Sequence, residues 1–455
     1  MNQRTDDLRA HDIRSVLHQY TNLAQHPSVG PLVMEGGDGI FVIDSDGNRY
    51  IEAMSGLWNA ALGFSERRLA DAAARQYAKL PTYHDFSHKS NAPMIELAAR
   101  LLELAPVPMA RVYFANSGSE ATDTVVKLLW YRSNALGEPR RKKIISRKRA
   151  YHGSTIGAAS LTGLANNHRS FDLPLPQILH TECPHYAREH RDAENEAAFT
   201  DRIVRELDAL IQREGADTIA AFIGEPVMGA GGVIVPPSGY WPAIQAVLQR
   251  YGILFVADEV ICGIGRTGRM FGSETYALAP DIMVLSKQLT GGYAPLSAVL
   301  VNERVFGPVA EESGRVGVWG HGFTTGGHPV SAAVAIETLQ IVQSEHLIAR
   351  AADLGVHMQQ RLREFAGHPL VVEARGVGLI GALELLPTAD PKSAFTGSGT
   401  IGKEAIRRLQ QAGVIARNLQ DAIAFCPPLI ISRAQLDDLF GRVRRVLDDL
   451  QRDRS

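Results

Sequence analysis

The sequence predicts an α/β protein with a mostly parallel sheet covered by helices, followed by a smaller α+β unit. Two observations carry this. From roughly Leu69 to Ile341, helical stretches alternate with short apolar runs that read as strands: Val112–Ala115, Lys143–Ser146, Ile219–Gly224, Ile253–Ala257, Ile282–Leu285 and Ala298–Val301. Such alternation builds crossover units, whose ligands sit at the carboxyl ends of the strands. After about residue 342 the rhythm changes. Val377–Glu384, Val414–Arg417 and Ala422–Phe425 read as strands, and Ser432 caps a helix with Leu436, Leu439, Phe440, Val443, Val446, Leu447 and Leu450 on one face. At the other end, the first thirty residues form a weakly amphipathic arm. Gly39–Asp44 and Arg49–Glu52 flank an Asp46-Gly47-Asn48 turn and read as a hairpin.

Within this frame the chemistry lies where apolar runs end. Ile282-Met283-Val284-Leu285-Ser286 leads into Lys287, and a Gly-rich turn, Thr290-Gly291-Gly292-Tyr293, follows. An amine at the end of a buried strand is costly to keep charged, so its pKa falls and it becomes a nucleophile. Ile253-Leu254-Phe255-Val256-Ala257 leads likewise into Asp258-Glu259-Val260. An Asp there packs poorly but partners a cationic ring nitrogen well. Amine and acid together point to an aldehyde cofactor, pyridoxal 5'-phosphate, held by Lys287 as a Schiff base and by Asp258 at its pyridinium. For the phosphate, the strand Arg111–Ala115 runs into Asn116-Ser117-Gly118-Ser119-Glu120. Ser117 and Glu120 have capping-box spacing, so a helix N-terminus presents free N–H groups, two hydroxyls and the close-approach residue Gly118 to one anion.

The order and spacing of Ser117-Gly118-Ser119-Glu120-Ala121, Tyr151-His152-Gly153, Glu225-Pro226, Asp258-Glu259-Val260, Ser286-Lys287, Thr290-Gly291-Gly292-Tyr293 and Gly322-Phe323-Thr324 resemble the class III aminotransferases. These are fold-type I pyridoxal-phosphate enzymes, and the likeness runs from about Ile40 to about Arg433, nearest to the amine or omega-amino-acid:pyruvate transaminases. The resemblance implies a seven-stranded-type sheet and a small domain drawn from both chain ends. Residues 1–70 would be the arm and part of the small domain, 71–341 the large domain and 342–455 the remainder of the small one. It implies amino transfer from an amine or omega-amino acid to a keto acid such as pyruvate, by a ping-pong mechanism through a Lys287 internal aldimine. An aminomutase or a dialkylglycine-type decarboxylase on the same fold is the alternative.

Residue by residue, the resemblance makes Lys287 the cofactor anchor and proton-transfer base, and Asp258 the partner of the ring nitrogen. Val260 would pack under the ring and Tyr151, ahead of His152, would stack above it. Ser117, Gly118 and Ser119 would hold the phosphate from the same chain, and Phe323 and Thr324 from a neighbouring subunit, with Thr325 adjacent. Glu225 would sit near the phenolic oxygen. Arg417 matches a mobile arginine that pairs a substrate carboxylate, while Trp58, Phe86, Tyr151 and Ala230 match pocket walls suited to an aryl or alkyl amine. A homodimer with shared active sites follows, and further pairing to a tetramer stays open. The sequence departs from the family pattern at Gln288, where many relatives have a small residue. It also lacks an aromatic in Leu164–His168.

The composition agrees with this reading. Lys plus Arg number 47 against 49 acids, a formal charge of −2, which excludes bulk nucleic-acid binding. The basic run Arg140–Lys143 with Arg147–Arg149 is expected to be a solvated loop around a short strand. Three widely spaced cysteines, Cys183, Cys262 and Cys426, read as reduced thiols of a cytoplasmic protein. Cys183, His185 and His190 make a weak metal motif, and no metal is expected. No apolar run is long enough for a membrane span. Gly263-Ile264-Gly265-Arg266-Thr267-Gly268 matches a dinucleotide fingerprint, but it neither follows a strand directly nor opens a helix, so it reads as a loop beside the cofactor.

Overall fold

The computed structural model describes residues 3–388 and 394–454. Its central sheet has seven strands in the order Arg111–Ala115, Ser297–Val301, Ile282–Leu285, Leu254–Asp258, Ile219–Gly224, Lys143–Arg147 and Ile178–Thr181. Ser297–Val301 runs antiparallel to both of its neighbours, and the remaining pairs are parallel. Six of these strands coincide with the expected ones to within a residue at each end. The seventh, Ile178–Thr181, escaped notice because His180 and Thr181 interrupt its apolar character.

Helices cover both faces. Gly118–Ala135 and Glu303–Val316 pack Val125, Leu128, Leu129, Val305 and Val309 against one face. Glu196–Glu214 and Tyr240–Arg250 pack Phe199, Ile203, Leu207, Trp241 and Ile244 against the other. Strands buried on both sides therefore need continuous apolar runs, and every residue of Ile219–Gly224 is buried. Polar side chains close the helix starts, with Ser117, Asn195 and Asn302 each accepting a backbone N–H two or three residues into the helix.

The chain ends meet in a second sheet, where Val414–Ile415 pairs in parallel with Ile51–Glu52 of the N-terminal hairpin. A third sheet, ordered Val371–Val377, Ile380–Leu385, Ala422–Phe425 and Arg417–Leu419, lies beneath the capped helix Arg433–Arg452. Two expectations need correction here. Val377–Glu384 is not one strand, because Gly378 at φ +55° turns the chain between two antiparallel strands. Val414–Arg417 likewise splits between two sheets.

The basic run is a solvated loop only at Arg140 and Lys148. Arg147 is buried, donates to the Glu225 carbonyl at 2.6 Å and lies over the Trp241 ring. Arg141 donates to the Ile219 and Gly252 carbonyls, and Arg149 to that of Gly231. These three cations are held by backbone carbonyls, while Arg140, Lys143 and Lys148 pair with Asp217, Glu214 and Glu182, a division that a linear charge pattern does not reveal. The glycine loop after Asp258-Glu259-Val260 is also reassigned: Gly265 meets Leu429 and Ile348, Gly268 meets Ala352, and buried Arg266 donates to Pro427 and Ser55. It joins the central sheet's loops to the C-terminal segments. Among the described residues, no helix is long and apolar enough to cross a membrane.

Candidate active site

Asp258 ends its strand opposite Val284, and two residues after Leu285 the neighbouring strand delivers Lys287 to the same edge of the sheet. Both line a cavity of about 400 Å³, together with Ser117, Gly118, Ser119, Tyr151, His152, Glu225 and Val260. Nine of the expected residues are thus brought together. Leu57, Asn59, Asn116, Ile261, Ser286, Thr290 and Tyr293 also line it, and none of these was expected as a pocket residue. Most belong to loops whose only signal was proximity to a recognised motif.

The acid is held firmly. His152 Nδ1 lies 2.6 Å from Asp258 Oδ2, and Val260 N–H donates to Oδ1 at 3.0 Å. His152 is itself fixed, its N–H donating to Thr162 Oγ1 and its carbonyl accepting from Thr122, while its buried Nε2 has no hydrogen-bond partner among the described residues. Glu225 accepts the Tyr151 N–H on one oxygen and the Gly229 N–H on the other. Burial pushes its pKa up, against the pull of His152. Lys287 sits at φ +45°, a strained conformation for a lysine, and its amine makes no hydrogen bond or ion pair among the described residues. Burial pushes that amine's pKa down, and Asp258 and Glu225 only partly restore it.

The phosphate cradle departs from expectation in one detail. Ser117 Oγ accepts the Glu120 N–H, but the Glu120 carboxylate reaches one residue further back, to the N–H and side-chain amide of Asn116. Ser119 Oγ accepts the Ser154 N–H, and a Cβ on Gly153 would strike that hydroxyl at 2.6 Å. A Cβ on Gly118 would point toward Val260, 3.6 Å away, so the cradle lies directly beside the cavity floor. Gln288 turns away, donating to the Ile261 carbonyl, which disposes of that departure from the family pattern.

Other expected residues stand apart from the cavity wall. Trp58 is buried in a cluster with Met54, Val227 and Ile261, and Leu57 occupies the wall instead. Ala230 lies just beyond it, on the loop that Glu225 holds at Gly229. Arg417 is half-buried near Tyr151 and Tyr20, without a carboxylate partner among the described residues. Phe86 is 45% exposed and packs on Gly322, next to Phe323 and the exposed Thr324. Thr325 donates to Asn116 Oδ1 at 2.8 Å, so it is already engaged within its own chain. Cys183, His185 and His190 do not converge: His185 pairs with Glu373, and His190 contacts Tyr186.

A cavity with an unpartnered amine, a carboxylate oriented by a histidine and a helix N-terminus fits a phosphorylated pyridine aldehyde. The comparisons agree. The profile of the family Aminotransferase class-III matches residues 23–447, and the chain belongs to that family of pyridoxal-phosphate-dependent aminotransferases. The curated relative gamma aminobutyrate transaminase 1, mitochondrial, of Solanum lycopersicum is 44% identical, covering 96% of this chain and 85% of its own. The omega transaminase of Pseudomonas jessenii, solved in complex with PMP, superposes with a TM-score of 0.97 at 53% identity, over 98% of this chain and 99% of that one. A thermostable omega transaminase variant, W58M/F86L/R417L, engineered for asymmetric synthesis of enantiopure bulky amines, gives 0.97 at 52% identity, over 98% and 100%.

Proposed function

We propose that this aminotransferase moves an amino group from an amine or omega-amino acid to a keto acid such as pyruvate. The observation that carries it is the unpartnered Lys287 amine facing a cavity whose acid, Asp258, is pinned by His152. When bound, the cofactor supplies a carbonyl that accepts the amino group and a ring that takes up electron density. The chain's own residues do the rest. Asp258, kept oriented by His152 and the Val260 N–H, holds a proton at the ring nitrogen. Lys287, with its lowered pKa, moves the proton at the substrate carbon. Ser117, Gly118 and Ser119 would bind the phosphate, Val260 and Tyr151 would line the ring's site, and Glu225 fixes Tyr151 through its backbone.

On the substrate side, we assign Arg417 to carboxylate recognition and Phe86, Tyr151 and Ala230 to the amine's apolar group, with Trp58 backing that pocket from the buried cluster it shares with the wall residue Ile261. This chain carries Trp, Phe and Arg at the three numbers substituted in the bulky-amine variant. Exposed Phe86 and Thr324, with half-buried Phe323, stand apart from the wall of their own cavity, so we assign them to the cavity of a second copy in a homodimer. We also propose a small domain drawn from residues 1–70 and 342–455 around a large domain of 71–341, a reading supported by the pairing of Val414–Ile415 with Ile51–Glu52. Three buried free cysteines favour the cytoplasm.

The test is a visible spectrum of the pyridoxal-phosphate-loaded protein. The cofactor band is expected to bleach on adding 1-phenylethylamine and to return on adding pyruvate. A band that ignores the amine but answers to amino acids overturns the omega-amine assignment.

A further inference from the structure

The N-terminal arm holds a cluster that amino transfer does not use. Asp12, near the end of the helix Gln3–Ser15, receives His18 Nε2 at 2.8 Å and His26 Nε2 at 2.9 Å on the same oxygen, Oδ1. The two imidazole rings stand 4.1 Å apart, inclined at 39°, and fan out from that oxygen. The Asp12 carboxyl stays below its ordinary pKa, because hydrogen bonds from His26 and His18 outweigh the opposing effect of burial.

We propose that Asp12, His18 and His26 form a binding site for a divalent transition metal of the zinc type, which staples the N-terminal arm over the active-site entrance. Two imidazole nitrogens and one carboxylate suit Zn²⁺, Co²⁺ or Ni²⁺ and not Mg²⁺ or Ca²⁺. All three ligand atoms already lie within 4.8 Å of one another. Ligands about 2.0–2.2 Å from a tetrahedral zinc stand roughly 3.3 Å apart, so the present 2.8 and 2.9 Å contacts need open by only about half an ångström. Each neutral imidazole then carries its proton on Nδ1, which has no protein partner among the described residues. Water completes the coordination, since His18 retains 28% exposure and Asp12 20%.

The staple matters because little else holds this segment. Leu17, Tyr20 and Leu23 are exposed, so apolar burial does not fix the stretch between the helix Gln3–Ser15 and the short helix His26–Val29. Yet that stretch carries Tyr20, whose ring meets Tyr151 edge-on at 6.4 Å and whose hydroxyl accepts from Asn167. Tyr151 lines the cavity, so an ion closing the Asp12–His26 loop would set where Tyr20 lies at its mouth. The site is independent of the amino-transfer reading and is tested without turnover.

Untagged holoenzyme, stripped with a chelator and then given Zn²⁺, is gel-filtered and assayed for metal per chain. About one equivalent is expected in the wild type, with affinity at least ~100-fold weaker in His18→Gln/His26→Gln. Far-ultraviolet circular dichroism and cofactor absorbance confirm that the variant is folded, and Asp12→Asn serves as a second variant. Zn²⁺ is also expected to slow proteolysis between residues 16 and 25 in the wild type only. No retained metal, or equal retention by wild type and both variants, would overturn the site. Retention without protection would overturn the staple.

Discussion

Lys287 and Thr324 belong to two regions assembled by different means. Around Lys287, neighbouring strands of one sheet end at a common edge, and each polar group beyond them is fixed by a second group: Asp258 by His152, His152 by Thr162, Glu225 by the Tyr151 and Gly229 amides. Around Thr324, a loop lies exposed, with Phe86 packed on Gly322, and Thr324 does not line the cavity of Lys287. The first region is preorganised by burial, which also lowers the lysine's pKa. In the proposed homodimer, the second would acquire its surroundings only when another chain covers it. On the proposed reading, cofactor chemistry is set by the fold of one chain, and substrate range by loops and by assembly.

Substitutions separate these contributions. Lys287→Ala should have the largest effect, cutting pyruvate-dependent turnover of 1-phenylethylamine by about 10⁴-fold, the upper end for a positioned base. Asp258→Asn should leave the fold intact by circular dichroism but lower kcat by roughly 10²–10³-fold, as expected for loss of one preorganised electrostatic partner. Arg417→Leu should raise KM for pyruvate about 10- to 100-fold, the value of one charged hydrogen bond, and leave KM for an uncharged aryl amine nearly unchanged. An equal rise for both substrates would show that Arg417 shapes the pocket without recognising a carboxylate. Thr324→Ala should speed cofactor release only about tenfold, which absorbance after dilution will measure.

The smallest effect tests how burial alone tunes the region behind the wall. Burial raises Glu52 to about 7, though the Gly56 and Met54 amides and Arg266 pull the other way, and Glu259 reaches about 7 for the same leading reason. Both bind a proton more tightly folded than unfolded. Their stabilisation is therefore fully present below the ordinary carboxylate range and is lost as pH rises through about 7. Glu52→Gln should remove roughly half of that slope in apoenzyme melting temperature between pH 5 and 8. An unchanged slope would assign it to other groups.

The same contrast explains what the sequence disclosed. Lys287 and Asp258 were legible because each interrupts an apolar run where a buried strand must end. The cradle was legible from cap spacing, although Glu120 chose the Asn116 amide over that of Ser117. Trp58 was harder. Its loop places Ser55, Gly56 and Trp58 at positive φ, turning Leu57 to the cavity and the indole inward, and no periodicity encodes such a turn. The pinning of Asp258 by His152 joins residues 106 apart in sequence, and Tyr20 reaches Tyr151 from the far end of the chain. Contacts of that kind depend on topology and leave no local pattern.

The claim that one active site is completed by two chains is tested most directly by subunit mixing. Lys287→Ala and Thr324→Ala chains, each loaded with pyridoxal phosphate, are unfolded together, refolded as a mixture and compared with each variant refolded alone. In a mixed dimer, one site joins the Lys287 of one chain to the Thr324 of its partner. The account predicts that mixing restores cofactor retention at those sites to the wild-type rate, with turnover to match. If retention in the mixture is only the average of the two parents, Thr324 serves its own chain or no site at all, and the two-chain account is wrong.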